Sequence, residues 1–198
     1  AIRSRGLGDV YKRQDQQIAK ISTEVQNIVK GKVLFDHFSR GRYSTDSSLY
    51  QITPLGAVLP KDQNDVLNLM EYSQKNSIPL LARGGGSSQC GQTVGESIVL
   101  DYSKYQNQIL ELNVEEKYVW VQPGIVLDTL NAYLKPYGLW FPVDVSTSSR
   151  ATIGGMTGNN SCGSRSLYYG NMVNNVLAVE AILDDGTIHT FEDIEKSY

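Results

Sequence analysis

The sequence predicts a mixed α+β fold, and three observations carry that prediction. A short strand around Ala57-Val58-Leu59, an amphipathic helix opened by Asp62 and a buried strand at Ile78-Pro79-Leu80-Leu81-Ala82 follow one another as a βαβ unit. Near the other end, Leu177, Val179, Ala181 and Leu183 alternate with Glu180 on the opposite face, and Asp185-Gly186 turns the chain into Thr187-Ile188-His189-Thr190 as a hairpin. Two glycine-rich runs, residues 83–92 and 152–163, stand between these elements. At 198 residues the chain can form one sizeable core or two small lobes.

Residues 1–14 carry four basic side chains, one acidic one and no helical or strand periodicity. They resemble a translated adapter and are expected to be foreign to the fold. Residues 15–48 form a lead-in. Within it Ile18, Ile21, Val25, Ile28 and Val29 define an amphipathic helix ending near Gly31, and residues 35–46 are polar and turn-rich. A first lobe is expected over about 49–122. It holds the βαβ unit, whose helix carries Val66, Leu69, Met70 and Ser73 on one face, and strands at Ile98–Leu100, Ile109–Leu112 and Tyr118–Val121. Pro123-Gly124 breaks the chain, and a second lobe follows over about 123–198. There Leu127, Leu130 and Leu134 line a helix stopped at Lys135-Pro136. Trp140 and Phe141, before Pro142, read as packing that aims the second glycine run.

Composition removes several function classes. A net charge of −3 argues against a nucleic-acid partner, which needs clustered Lys and Arg. No apolar run reaches the length of a transmembrane helix, and no secretory leader is evident. Cys90 and Cys162, without C-x-x-C neighbours, are expected to be buried free thiols in a reducing compartment, not a disulfide or zinc site. With only His37 and His189, a catalytic triad or a histidine-rich metal centre is poorly supplied.

The glycine runs describe a wall for a dinucleotide, because glycine lets backbone N–H groups approach and converge on one anion. The first run is not a Rossmann fingerprint, since Gln89 holds the place of the third glycine after Gly84 and Gly86. Nor is it a triphosphate loop, since Gln92 stands where the lysine belongs and a strand follows where a helix should. Backbone N–H groups from Gly84 to Ser88, with the Ser87 and Ser88 hydroxyls, are suited to a pyrophosphate. Arg83 either pairs with a phosphate or braces the loop against a carboxylate. In the second run Thr152 is expected to cap a short helix whose exposed N–H groups at Ile153, Gly154 and Gly155 add a positive dipole end to the same anion. Asn159 and Asn160 suit a heterocycle edge or a turn, and Tyr168-Tyr169-Gly170 suits either a flat cofactor or the core.

Arg83-Gly-Gly-Gly-Ser-Ser-x-x-Gly91, Pro142-x-Asp144, Ser148 through Gly163 and Tyr169-Gly170 together resemble the FAD-binding domain of the p-cresol methylhydroxylase and vanillyl-alcohol oxidase superfamily. The nearest branch is the FAD-linked 2-hydroxyacid dehydrogenases, which act on D-lactate, glycolate or D-2-hydroxyglutarate. Residues 34–60 are similar to the large bacterial members with a C-terminal iron–sulfur region. The resemblance covers about residues 34–195 and implies two α/β lobes clasping FAD, with the chain stopping before the domain is complete. It places Gly84–Ser88, Gly91 and Gln92 on the pyrophosphate. It places Pro142, Ser149, Thr152, Gly154, Gly155, Asn159, Asn160, Gly163 and Tyr169 along the cofactor, with Val176 at its far end. Lacking a histidine in the first loop, the chain is expected to hold FAD noncovalently. An iron–sulfur cluster is expected only outside these residues, and the location is expected to be cytoplasmic or peripheral at the inner face of the membrane. The implied function is oxidation of a small hydroxy acid by hydride transfer to flavin N5, with the catalytic base and the electron acceptor unassigned. A sugar or alcohol oxidase of the same superfamily and a non-catalytic nucleotide-binding module are the alternatives.

Overall fold

The computed structural model describes residues 5–192, with side chains from residue 14 onward. The described chain divides into two compact units, one reaching to Leu81 and including Gln89–Leu100, the other formed by Ala82–Ser88 and the residues from Asp101 on. This division falls at Leu100, ahead of the lobe boundary read near residue 122, and it assigns the loop 82–88 to the later unit.

The first unit opens with α1 (Arg5–Ile28). The helix begins well before the periodic residues, because each added residue gains one backbone bond once a turn exists, whether or not it has an apolar face. Residues 1–4 of the segment read as foreign lie outside the described residues. Ile21 and Val25 of this helix are buried. The helix end is fixed by Asp65, itself buried, whose carboxylate accepts from Lys30 N at 2.7 Å, Gly31 N at 2.9 Å and Lys61 N at 2.7 Å. Gly31 lies against the Leu59 carbonyl, leaving no room for a side chain.

Strand β1 (Lys32–Leu34) follows, then α2 (His37–Arg42), capped by the Asp36 side chain accepting from Ser39 N at 2.9 Å. Sequence periodicity shows neither, since three strand residues and a six-residue helix are too short to establish a period. Strand β2 (Gly56–Leu59), α3 (Gln63–Asn76, capped by Asp62) and β3 (Leu80–Arg83) realise the predicted strand–helix–strand succession. Strand β4 (Ile98–Asp101) inserts between β2 and β3, giving the order β1-β2-β4-β3. The two strands of the predicted unit are therefore not neighbours. Antiparallel β1 pairs Lys32 with Leu59, and parallel β4 pairs Ile98 with Gly56. The centre of this sheet is apolar on both faces, with Ala57, Val58, Ile98 and Val99 fully buried, as a covered parallel pair requires.

In the second unit β5 (Ile109–Asn113) and β6 (Tyr118–Val121) form an antiparallel hairpin with an irregularity between Ile109 and Glu111. Helix α4 (Leu127–Leu134) buries Leu127, Leu130 and Leu134. It tightens into a 3₁₀ turn at Lys135–Tyr137 and stops at Gly138, which takes a φ of 70°. Three short helices follow, α5 (Ile153–Gly158), α6 (Ser166–Tyr169) and α7 (Met172–Asn175), and then the predicted hairpin of β7 (Ala178–Ile182) and β8 (Ile188–Glu192). The core gathers Ile125, the three leucines of α4, Val143, Ala151, Ile153, Met156 and Met172. All five residues of β8 are exposed. Among the described residues no helix is long and apolar enough to cross a membrane.

Candidate functional site

The two glycine-rich runs touch inside the second unit. β3 delivers Arg83 into the loop, and Tyr102 N donates to Arg83 O at 3.2 Å, anchoring the strand end. Beyond it, Gly84 lies against the Thr152 hydroxyl and Gly85 against the Arg150 carbonyl, so closely that a Cβ at either position would overlap its neighbour. Both contacts need glycine for approach. Gly86 adds a φ of 63° and lies under the Arg83 guanidinium.

Thr152 is the hinge of the arrangement. It is 2% exposed, it pairs with Val126 as an isolated bridge, and its Oγ1 accepts from Gly155 N at 3.3 Å as the cap of α5. The capped turn was legible in the sequence, but the fate of its N–H groups differs from expectation. Ile153 N donates to Ile125 O at 2.9 Å and Gly154 N to Pro123 O at 2.8 Å. With Gly155 N on the cap, the three donors expected to face an anion are consumed by protein. The bridge to Val126 draws the start of α5 onto residues 123–126, and Gly154 is needed there to clear Pro123. In the first loop, by contrast, Gly85 and Ser87 make no backbone hydrogen bond among the described residues, and Gly85 is exposed. In this contact the head of the second run buttresses the first, with Thr152 against Gly84 and Arg150 against Gly85.

The remaining predicted residues spread around this contact. Ser149 is exposed in a turn closed by Arg150 N and Ala151 N on Thr147 O, each at 2.8 Å. Pro142 is half-buried on the approach that Asn131 holds by accepting from Phe141 N at 2.7 Å. Asn159 donates to Ser161 Oγ at 3.2 Å, and Asn160, with a φ of 45°, accepts from Val173 N at 3.0 Å and so ties its turn to α7. Gly163 packs on Asp144, and Val176 closes α7 against the core. Tyr169 meets the edge of Trp140 at 5.2 Å between centroids. Trp140 is 41% exposed, so it packs on this surface cluster and not in the core. Gly91 and Gln92 belong to the first unit, where Gly91 lies 2.6 Å from Tyr50 Cδ2 if given a Cβ, and Thr93 donates to Asp46 at 3.1 Å.

Cys90 and Cys162 are exposed, which corrects the buried thiols expected from sequence: both sit on loops whose glycines keep the chain at the surface. Neither histidine enters the glycine contact. His37 stands 3.9 Å from Asp15 in the first unit, and His189 rests on Phe191 in the terminal hairpin. Sequence reasoning assigned no role to Asp144. It accepts from Arg165 N at 3.0 Å and Ser164 Oγ at 2.8 Å, and the Arg165 N–H, then the Ser164 hydroxyl, hold its carboxyl below the usual range. Its signal was its place in Pro142-x-Asp144, a fixed step before the second run.

Comparison with known proteins agrees with this geometry. The FAD binding domain family profile matches residues 54–192. D-2-hydroxyglutarate dehydrogenase of Haemophilus influenzae is 42% identical over 165 residues, which is 80% of this chain and 16% of that protein. Glycolate oxidase subunit GlcD of Bacillus subtilis is 34% identical over 165 residues, 81% of this chain and 35% of that protein. The chain thus spans a minor part of the relatives it matches. Alkyldihydroxyacetonephosphate synthase superposes with a TM-score of 0.73 at 21% identity, over 84% of this chain and 33% of that one. The 6-hydroxy-D-nicotine oxidase of Arthrobacter nicotinovorans gives 0.73 at 17% identity, over 85% and 37%. The fold expected from the sequence motifs is the fold of these solved structures, and the chain belongs to the FAD binding domain family.

Proposed function

We propose that this chain is the FAD-holding part of a flavin-dependent dehydrogenase that oxidises a D-2-hydroxy acid of the lactate, glycolate or 2-hydroxyglutarate type. The observation that carries the reading is the contact of the two glycine runs through Gly84–Thr152 and Gly85–Arg150. Each run alone is explicable as turns, whereas the glycines of the first packed on Arg150 and Thr152 at the head of the second make a wall that a dinucleotide can approach. The names of the relatives supply the substrate class.

In this reading Gly84–Ser88 hold the pyrophosphate through backbone N–H groups and the two serine hydroxyls, and Arg83 keeps the loop in shape. Gly91 and Gln92 share that role. Pro142, Ser149, Thr152, Gly154, Gly155, Asn159, Asn160, Gly163 and Tyr169 order the segment beside the ribityl chain and flavin, and Val176 ends it. When bound, FAD supplies hydride acceptance at N5 from the substrate α-carbon. The protein's own work here is to bind, orient and exclude water. FAD is held noncovalently, and the base that takes the hydroxyl proton comes from outside this chain, as does any iron–sulfur cluster. The location is cytoplasmic or peripheral at the inner face of the membrane. The test is the visible spectrum of the purified protein in its full-length context: flavin bands bleached anaerobically by one of the three D-2-hydroxy acids support the reading, and a colourless protein or bands untouched by all three oppose it.

A further inference from the structure

We propose that Asp144 is a positioning residue for the flavin-side end of the second glycine run. Its carboxylate ties together three things that sequence separates: the backbone N–H of Arg165 at 3.0 Å, the Ser164 hydroxyl at 2.8 Å and the Arg165 guanidinium, whose Nε lies 3.5 Å away. Gly163 packs directly on it, with no space for a side chain. From Arg165 the contact continues, since its guanidinium lies 5.3 Å over the Trp140 ring and Trp140 meets Tyr169 edge-on. One carboxylate therefore fixes the 163–165 turn and, through a cation–π contact, the Trp140–Tyr169 pair. The inference rests on the reading that Gly163 and Tyr169 line bound FAD. Asp144 itself acts through them.

A carboxylate suits this donor set, because two N–H groups and one hydroxyl converge on it and an ionised acceptor makes the stronger bonds. Asparagine keeps an oxygen for the Arg165 N–H and can donate its amide to the Ser164 oxygen, losing the charge and the acceptor toward the guanidinium while holding the 163–165 turn. Alanine loses all three.

The experiment is FAD titration of the apo-protein by flavin fluorescence for the unaltered protein, Asp144→Ala and Asp144→Asn, with urea unfolding of each apo-protein alongside. Emission of Trp140 is followed in a Trp120→Phe background. Asp144→Ala is expected to weaken FAD by about tenfold and to shift Trp140 emission to the red, with Asp144→Asn within about threefold of the unaltered protein and unfolding midpoints alike. FAD bound as tightly by Asp144→Ala as by the unaltered protein, or an unmoved Trp140 emission, would overturn the positioning role while leaving FAD binding standing. A weakened affinity matched by an equal loss of global stability in both variants would overturn it as well. Failure of the unaltered protein to bind FAD would overturn the proposed function and this role together.

Discussion

Replacing Gly84 with alanine tests the contact on which the site is built. The added methyl would overlap Thr152 Oγ1 and stand 3.2 Å from Thr152 Cβ and 3.4 Å from its Cγ2. Thr152 is fully buried, so it cannot swing into solvent. Two costs follow. Forcing a methylene-sized group into packed surroundings costs about 1–3 kcal/mol, and pushing Oγ1 off Gly155 N forfeits a helix cap of about 1 kcal/mol. Together Gly84→Ala should destabilise the protein by about 2–4 kcal/mol, read as a lowered urea midpoint with an unchanged slope. The partner is known, so the cause can be isolated. Thr152→Ala removes the colliding oxygen, and in that background Gly84→Ala should cost less than in the original by at least about 1 kcal/mol, a coupling that separate sites do not show. A Gly84→Ala protein within about 0.5 kcal/mol of the original, or strictly additive costs in the double variant, would refute the close approach of the two runs.

Three further outcomes are expected. Burial pushes the Tyr102 hydroxyl up to about 12, above its unfolded value, so the associated stability is complete below about pH 10 and is lost as pH rises through 12; Tyr102→Phe should flatten the urea midpoint between about pH 10 and 12 by up to about 2–3 kcal/mol, and an unchanged slope counts against it. Flavin should stay in solution after trichloroacetic acid precipitates the protein, and flavin in the pellet would point to a covalent bond at Cys90 or Cys162. Deleting residues 1–14 should leave the thermal midpoint in place, because their composition and lack of periodicity mark them as foreign to the fold; a drop of several degrees would show that the segment packs on it.

What the sequence shows of this protein is set by the range of each signal. Asp62 and Thr152 act on N–H groups three residues away, so both caps can be read from spacing alone. The β7–β8 hairpin can be read from its turn at Asp185-Gly186, although Leu177 and Val179, which the alternation puts on one apolar face, are exposed. Contacts that close over long separations leave no such mark. Asp65 binding Lys30 and Gly31, Tyr50 against Gly91 and the insertion of β4 between β2 and β3 depend on tertiary pairing. The glycines illustrate the limit most sharply. Their chemistry announces close backbone approach, and the approach is there, but Gly154 and Gly84 spend it on Pro123 and Thr152, and only the folded structure distinguishes protein from ligand as the neighbour. The same holds for the donors of α5, which the motif offers to an anion and the fold gives to Ile125 and Pro123.

The most direct measurement of the central claim, that the two runs build one FAD site, is flavin content per polypeptide for the purified protein and for Gly85→Val. Gly85 is exposed and faces the Arg150 carbonyl, so a valine there intrudes between the first run and the second and into the approach to the loop N–H groups. The account predicts about one FAD per unaltered chain and essentially none in Gly85→Val, which still folds to a chain of ordinary helix content. A Gly85→Val protein retaining its flavin at unaltered affinity would contradict it.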